Sequence, residues 1–310
     1  MEANKRNHAE IWVIAGGKGG TGKTLMASGI GARLSARGRK TVLLDLDMGG
    51  PNLHSFFGVG RPARTLSHFF INKTPLAELI VDTGIPNLDL ISGDLDSLNS
   101  SGMRYAQKQK LFNHIQKLNY DMVIIDLGGG TQDCTIDTFL LADKMIVIAV
   151  PEITAVENLY YFVKKVFLQK IRKILVEHGL REMAQKFWLQ RDNHGIKNLA
   201  DLLAHLKAQS QEIRELIEAE FNGLSFYIIL NQLKNQQQVP LGVSLCSICR
   251  NYFGMAVTYT GYVEYDNYLW RLLDGKQSFW KSGSSQHLGR QIDKVIEKLL
   301  SGRQWSLHSP

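Results

Sequence analysis

Short β-rich apolar runs alternate along the chain with helix-length amphipathic stretches, the pattern of βα units that feed a parallel sheet. The predicted strands are 11–15, 41–46, 88–91, 122–126, 144–150, 225–231 and 256–263. Several are apolar at consecutive positions, as strands are when helices cover both sheet faces, and this places them inside the sheet. Helical spacing predicts helices over 22–37, 104–118, 154–166 and 239–252. Between 167 and 220, two or three helical patterns replace a short return to the sheet, with Ile196, Leu199, Leu202, Leu203, Leu206, Ile213, Leu216 and Ile217 at helical spacing. The last pattern, 286–300, puts Leu288, Ile292, Val295, Ile296, Leu299 and Leu300 on one face. The expected fold is α/β, a doubly wound and mainly parallel sheet, as a single domain over 8–305 with a helical insertion at 167–220.

Composition supports ordinary globular material. The 310 residues are 44% hydrophobic and 21% charged with 28 Gly and 7 Pro, which excludes collagen-like, low-complexity and disordered classes. Three cysteines, Cys134, Cys246 and Cys249, are too few for a disulfide framework, and their odd number suits a reducing compartment. The longest apolar runs are strand-sized, short of the roughly 18 to 20 residues of a membrane span. The first ten residues lack a signal-peptide core, so a cytoplasmic location is expected. The net charge of +7 is local: residues 1–159 carry 16 basic and 16 acidic side chains, whereas 160–190 carry 7 and 2 and 270–310 carry 7 and 3. A solvated helix face accounts for such a run, as does a surface for anionic lipid, nucleic acid or an acidic partner.

The most informative residues are Gly17-Lys18-Gly19-Gly20-Thr21-Gly22-Lys23-Thr24, directly after the first strand and opening the first helix. They match G-x-x-x-x-G-K-[ST], whose glycines let several amide N–H groups converge on phosphate oxygens at a helix N-terminus. Lys23 would reach the β- and γ-phosphates, and the Thr24 hydroxyl would ligate Mg²⁺. Gly17, Gly19 and Gly22 also fit the dinucleotide pattern, with Asp45 near the place of its ribose-binding acid. Lys23 and Thr24 have no use in a dinucleotide loop. The apolar run 122–125 ending in Asp126, an acid able to hold the Mg²⁺ shell, also favours a nucleoside triphosphate.

From Gly16 to Thr24 the sequence resembles the MinD/ParA family of deviant Walker A ATPases, SIMIBI-type P-loop proteins, because Lys18 is an additional cation that the general pattern does not demand. The likeness continues through residues 43–53 as a first switch, 124–130 as the Walker B strand and second switch, 229–231 as the adenine strand, and 261–266 as the late strand and its loop. It covers the chain apart from the insertion and is greatest for the FlhG/MinD-like positioning branch. The resemblance implies ATP and Mg²⁺ as ligands and an ATP-dependent homodimer in which Lys18 touches the phosphates of the other subunit. It also implies that Asp47 orients the attacking water, that Asp45 and Asp126 contact the Mg²⁺ shell mostly through water, and that Asn231 meets adenine. Lys18 also reads as a solvated loop lysine, Asp45 as a turn cap and Asn231 as a turn former.

Weaker signals remain. Cys246 and Cys249 form a C-x-x-C pair that two subunits could join into four iron–sulfur ligands, the basis of an alternative role as a cluster carrier or scaffold. Burial on a helix is the favoured reading of that pair. The 286–300 helix is expected to pack on the sheet rather than bind membrane, leaving Arg303, Trp305 and the Lys281 region for weak peripheral contact with the inner membrane. Lys164, Lys165, Lys170, Arg172, Lys173 and Lys186 form a second candidate surface, for lipid, a protein partner or, ranked last, DNA.

Overall fold

The computed structural model describes residues 8–47, 50–93, 105–267, 278–281 and 285–302. Eight strands form one sheet: β1 (Glu10–Ala15), β2 (Thr41–Leu46), β3 (Ile80–Ile85), β4 (Leu88–Ile91), β5 (Met122–Leu127), β6 (Lys144–Ala149), β7 (Phe226–Leu233) and β8 (Val257–Glu264). Their order is β3-β4-β2-β5-β1-β6-β7-β8, with β3 antiparallel to β4 and every other pair parallel. The predicted apolar strands lie inside this sheet, except that the last one, β8, is an edge.

Period-two alternation divides the core between the two faces. Ile11, Val13 and Ala15 of β1 join one apolar cluster, while Trp12 and Ile14 join the other. The second face is covered by α1 (Lys23–Ala36) and α10 (Gln286–Ser301). Leu288, Ile292, Val295, Ile296 and Leu299 are buried beneath α10, each contributing about 1.5–3 kcal/mol. Leu300, expected on that face, is 46% exposed because it lies past the stripe that meets α1 and β8. Arg33 of α1 and Arg37, its C-cap, both pair with Asp293 of α10.

The first face carries α2 (Leu66–Ile71), α3 (Tyr105–Ile115), α4 (Asp133–Phe139), α5 (Ile153–Glu177), α6 (Arg181–Leu189), α7 (Leu199–Lys207), α8 (Gln211–Asn222) and α9 (Leu241–Phe253). The sequence placed the end of α5 at 166, but no Gly or Pro interrupts it there, and Phe167, Ile171 and Ile174 carry its buried stripe on to Glu177. The expected insertion therefore begins inside a continuing helix. Its Ile196, Leu202, Leu203, Leu206 and Ile217 are buried in the same cluster as β6 and β7, so α6–α8 extend the main core. No helix among the described residues is long and apolar enough to cross a membrane. Arg303 and Trp305 lie outside the described residues.

Candidate phosphate-binding site

The loop between β1 and α1 opens at the C-terminal ends of the parallel strands, where β2, β5 and β7 also deliver their last residues. Gly22 caps α1 at φ 85°, and a Cβ there would stand 2.2 Å from Asn231 Nδ2, so a residue with a side chain does not fit. Lys23 is 6% exposed and its Nζ donates to the Lys18 carbonyl at 3.3 Å. Burial lowers the pKa of its ammonium against the opposing pull of Asp126 and Asp47.

Two carboxylates face each other across β2 and β5, where Asp45 and Asp126 are register partners. Both are 1% exposed. Burial raises both pKa values above the carboxylate range, and for Asp126 the neighbouring Asp45 adds to the rise while the Thr24 hydroxyl and Lys23 oppose it. Neither Asp126 oxygen makes a hydrogen bond of ordinary geometry. Asp45 differs: Oδ1 accepts from the Asp47 N–H and Oδ2 from the Leu53 N–H, both at 3.1 Å. Its carboxylate thus ties the loop after β2 to the 3-10 turn Leu53–Phe57, the capping role weighed from sequence.

Asp47 lies one residue past β2. A Cβ on Gly128 would stand 2.8 Å from its Oδ1, so the loops after β2 and β5 touch at this carboxylate. The second loop is also pinned to the first strand's loop, since the Gly130 N–H donates to the Gly16 carbonyl at 3.2 Å. Thr21 is buried, its hydroxyl without a hydrogen-bond partner inside the loop. Gly17, Gly19 and Gly20 complete that loop. Lys18 projects outward: its side chain is 40% exposed and Nζ lies 3.4 Å from Glu152 Oε2 and 3.2 Å from Thr154 Oγ1.

The structure thus gathers Lys23, Thr24, Asp126, Asp47 and Asp45 at one place and leaves Lys18 on the rim. Asn231, matched to adenine by resemblance, is 2% exposed and donates from Nδ2 to the Thr21 carbonyl at 2.8 Å. Sequence reasoning missed its neighbour Gln232, whose Nε2 donates to the Gly20 carbonyl at 3.0 Å. No spacing rule signals a glutamine at a strand end. It also missed Lys108 of α3, 2% exposed and 3.0 Å from Asp137 of α4.

Cys246 and Cys249 face inward from α9, 5% and 4% exposed, and burial pushes their thiols up to about 11 and about 12. Thiols packed in the core cannot bridge two subunits without unpacking α9, which removes the geometric basis for a shared cluster.

Comparison with known proteins bears on the family and the fold. A family model described as an AAA domain matches residues 9–177, more than half the chain. The septum site-determining protein MinD of Buchnera aphidicola subsp. Acyrthosiphon pisum is 31% identical over 48% of this chain, and the antiactivator FleN of Pseudomonas aeruginosa is 26% identical over 50% of it. The chain spans 55% of the length of each of these curated relatives. The septum site-determining protein MinD from Pyrococcus horikoshii, solved as a complex with Mg-ADP, shares the fold with a TM-score of 0.59 at 20% identity, over 95% of this chain and 98% of its own. A lysine-bearing phosphate loop, a fifth strand with Asp126 next to its last residue, and these likenesses together make the chain a member of the MinD/ParA family of deviant Walker A ATPases.

Proposed function

We propose that this protein is a Mg²⁺-dependent ATPase that dimerises around ATP and uses hydrolysis as a timer for release from a surface or partner. Its process is the positioning or number of a cellular structure such as the flagellum or division site, and its place is the cytoplasm. The observation that carries this reading is the convergence of Lys23, Thr24 and Asp47 on Asp126, whose buried oxygens make no ordinary hydrogen bond. That donor set, a hydroxyl and carboxylates, fits a hard divalent cation. Thr24 would ligate Mg²⁺, with Asp45 and Asp126 contacting its shell mostly through water, and the ion neutralises phosphate charge when bound.

In this reading the loop amides and Lys23 bind the β- and γ-phosphates, and Asp47 orients the attacking water. Phosphoryl transfer asks little more of a protein than positioning and charge neutralisation. Lys18, on the rim, supplies the second subunit's cation, and Asn231 is assigned to adenine on the resemblance. The loop at 128–130 contacts both Asp47 and the phosphate loop, so loss of the γ-phosphate is felt there.

The partner surface in this proposal is the basic side of α5 together with α6–α8. A groove of about 370 Å³ between α4 and α5 is lined by Lys165, Leu168, Gln169 and Arg172. Lys165 Nζ donates to the Thr131 carbonyl at 2.9 Å, joining this surface to the loop after β5. The test is ATP turnover by the wild-type chain and by Lys23→Ala. Turnover abolished in the variant is expected; turnover that survives it, or no binding of ATP at all, overturns the proposal.

A further inference from the structure

Neighbouring residues of a strand point to opposite sides of the sheet. Asn231 and Gln232 nevertheless reach the same loop, donating to the adjacent carbonyls of Thr21 and Gly20. The backbone makes this possible at a cost. Gln232 takes φ 59°, and the β7–β8 register shifts between Leu230 and Leu233. Among the described non-glycine residues, Lys73 and Asn87 share a positive φ, but both lie outside strands, whereas Gln232 lies within one. A left-handed glutamine inside a strand is strained and persists only where the surroundings hold it.

The consequence for the loop follows from peptide planarity. In a trans peptide the C=O and N–H point in opposite directions. Holding the Gly20 carbonyl fixes the Thr21 N–H, and holding the Thr21 carbonyl fixes the Gly22 N–H. We propose that Gln232 is a positioning residue: with Asn231 it clamps these two carbonyls toward the end of β7, so that the Thr21 and Gly22 N–H groups face the phosphates of a nucleoside di- or triphosphate before the ligand arrives. The inference rests on the ATP-binding reading above and deepens it at the phosphate end of the site. Preorganised donors spend no binding energy on ordering the loop.

The test separates backbone from side chain. Gln232→Gly keeps the left-handed conformation and removes the carboxamide; Gln232→Glu keeps the shape and sets a carboxylate oxygen where the donor stood. Binding of N-methylanthraniloyl-labelled ATP and of the same label on adenosine is measured for wild type and both variants, alongside thermal unfolding. Loss of one hydrogen bond predicts ATP affinity about five- to tenfold weaker in Gln232→Gly, with an unchanged or higher melting temperature and unchanged adenosine affinity. Gln232→Glu is expected to lose at least as much ATP affinity. If wild type binds the labelled ATP and either folded variant binds it equally well, the clamp is overturned while the ATP reading stands. Equal losses for ATP and adenosine overturn it too, because they mark a general structural role. If wild type binds no ATP analogue, both fall together.

Discussion

Asp45 and Asp126 stand opposite each other on adjacent strands, both buried, one with its oxygens on backbone amides and the other with no ordinary hydrogen bond. A buried acid with only the Thr24 hydroxyl and Lys23 to offset its burial, and no ordinary hydrogen bond, is costly, so Asp126 is a place where stability is given up for function. Asp126→Asn is expected to stabilise the ligand-free protein by about 1 kcal/mol. The same change should abolish the rise in melting temperature that Mg²⁺ and ATP together give wild type. Thermal unfolding with and without both ligands reads the two effects, and a variant still stabilised by Mg-ATP speaks against Asp126 as a metal-shell residue.

Lys18 offers a contrasting expectation. Its ammonium lies on Glu152 and Thr154 at the rim, whereas Lys23 is inside. Lys18→Ala should therefore leave ATP binding by the monomer within a few-fold of wild type yet lose the ATP-dependent dimer. Light scattering with and without nucleotide measures this; a variant that dimerises like wild type removes Lys18 from the interface.

Lys108 and Asp137 form an asymmetric pair. The lysine side chain is 3% exposed and the aspartate 19%, and Gln169 also donates to Asp137 at 2.7 Å. Removing the acid strands a buried cation, which costs about 3 kcal/mol or more. Asp137→Ala should thus destabilise more than Lys108→Ala, whose remaining carboxylate keeps Gln169 and water. Urea denaturation of both variants decides the order.

Acid should weaken the junction of α5 with α8. The Lys170 ammonium beside Glu220 holds its carboxyl below the usual range, with His178 adding to the effect; Glu177 also lies in this cluster. A depressed pKa contributes stability above the unfolded value near 4.3 and loses it as pH falls through the folded value. Because the pair is partly exposed, Glu220→Gln is expected to cost only about 0.5–1 kcal/mol at pH 7. The difference from wild type should shrink as pH falls below the unfolded value near 4.3. Denaturation curves at pH 7 and pH 3.5 check it, and a difference that does not shrink in acid points to packing rather than charge.

What the sequence made legible was what local pattern controls. The run 122–126 announced an interior strand ending in an acid, and Gly17 to Thr24 announced the turn that follows β1. β3 escaped notice because its six residues are half exposed, with Asp82 and Gly84 interrupting any alternation. α2 and α4, at six and seven residues, are too short for helical periodicity to register. Gln232 and Lys108 escaped for another reason: each acquires its role from a partner distant in the chain, Gly20 for one and Asp137 for the other. Asp45 lay between these cases, since a cap and a metal-shell acid have the same residue type at the same strand end.

α5 meets three distant places without a break. Its first turn carries Thr154 against Lys18, Lys165 reaches Thr131, and Lys170 holds Glu220 of α8. Twenty-five residues of helix make a rod of about 37 Å. Over that length, a tilt of about 5° pivoting at one end swings the opposite end by about 3 Å. In the proposed ATPase, such a lever would need no chain of loops: a shift beside the phosphate loop would become travel at the end of α5 that meets α8.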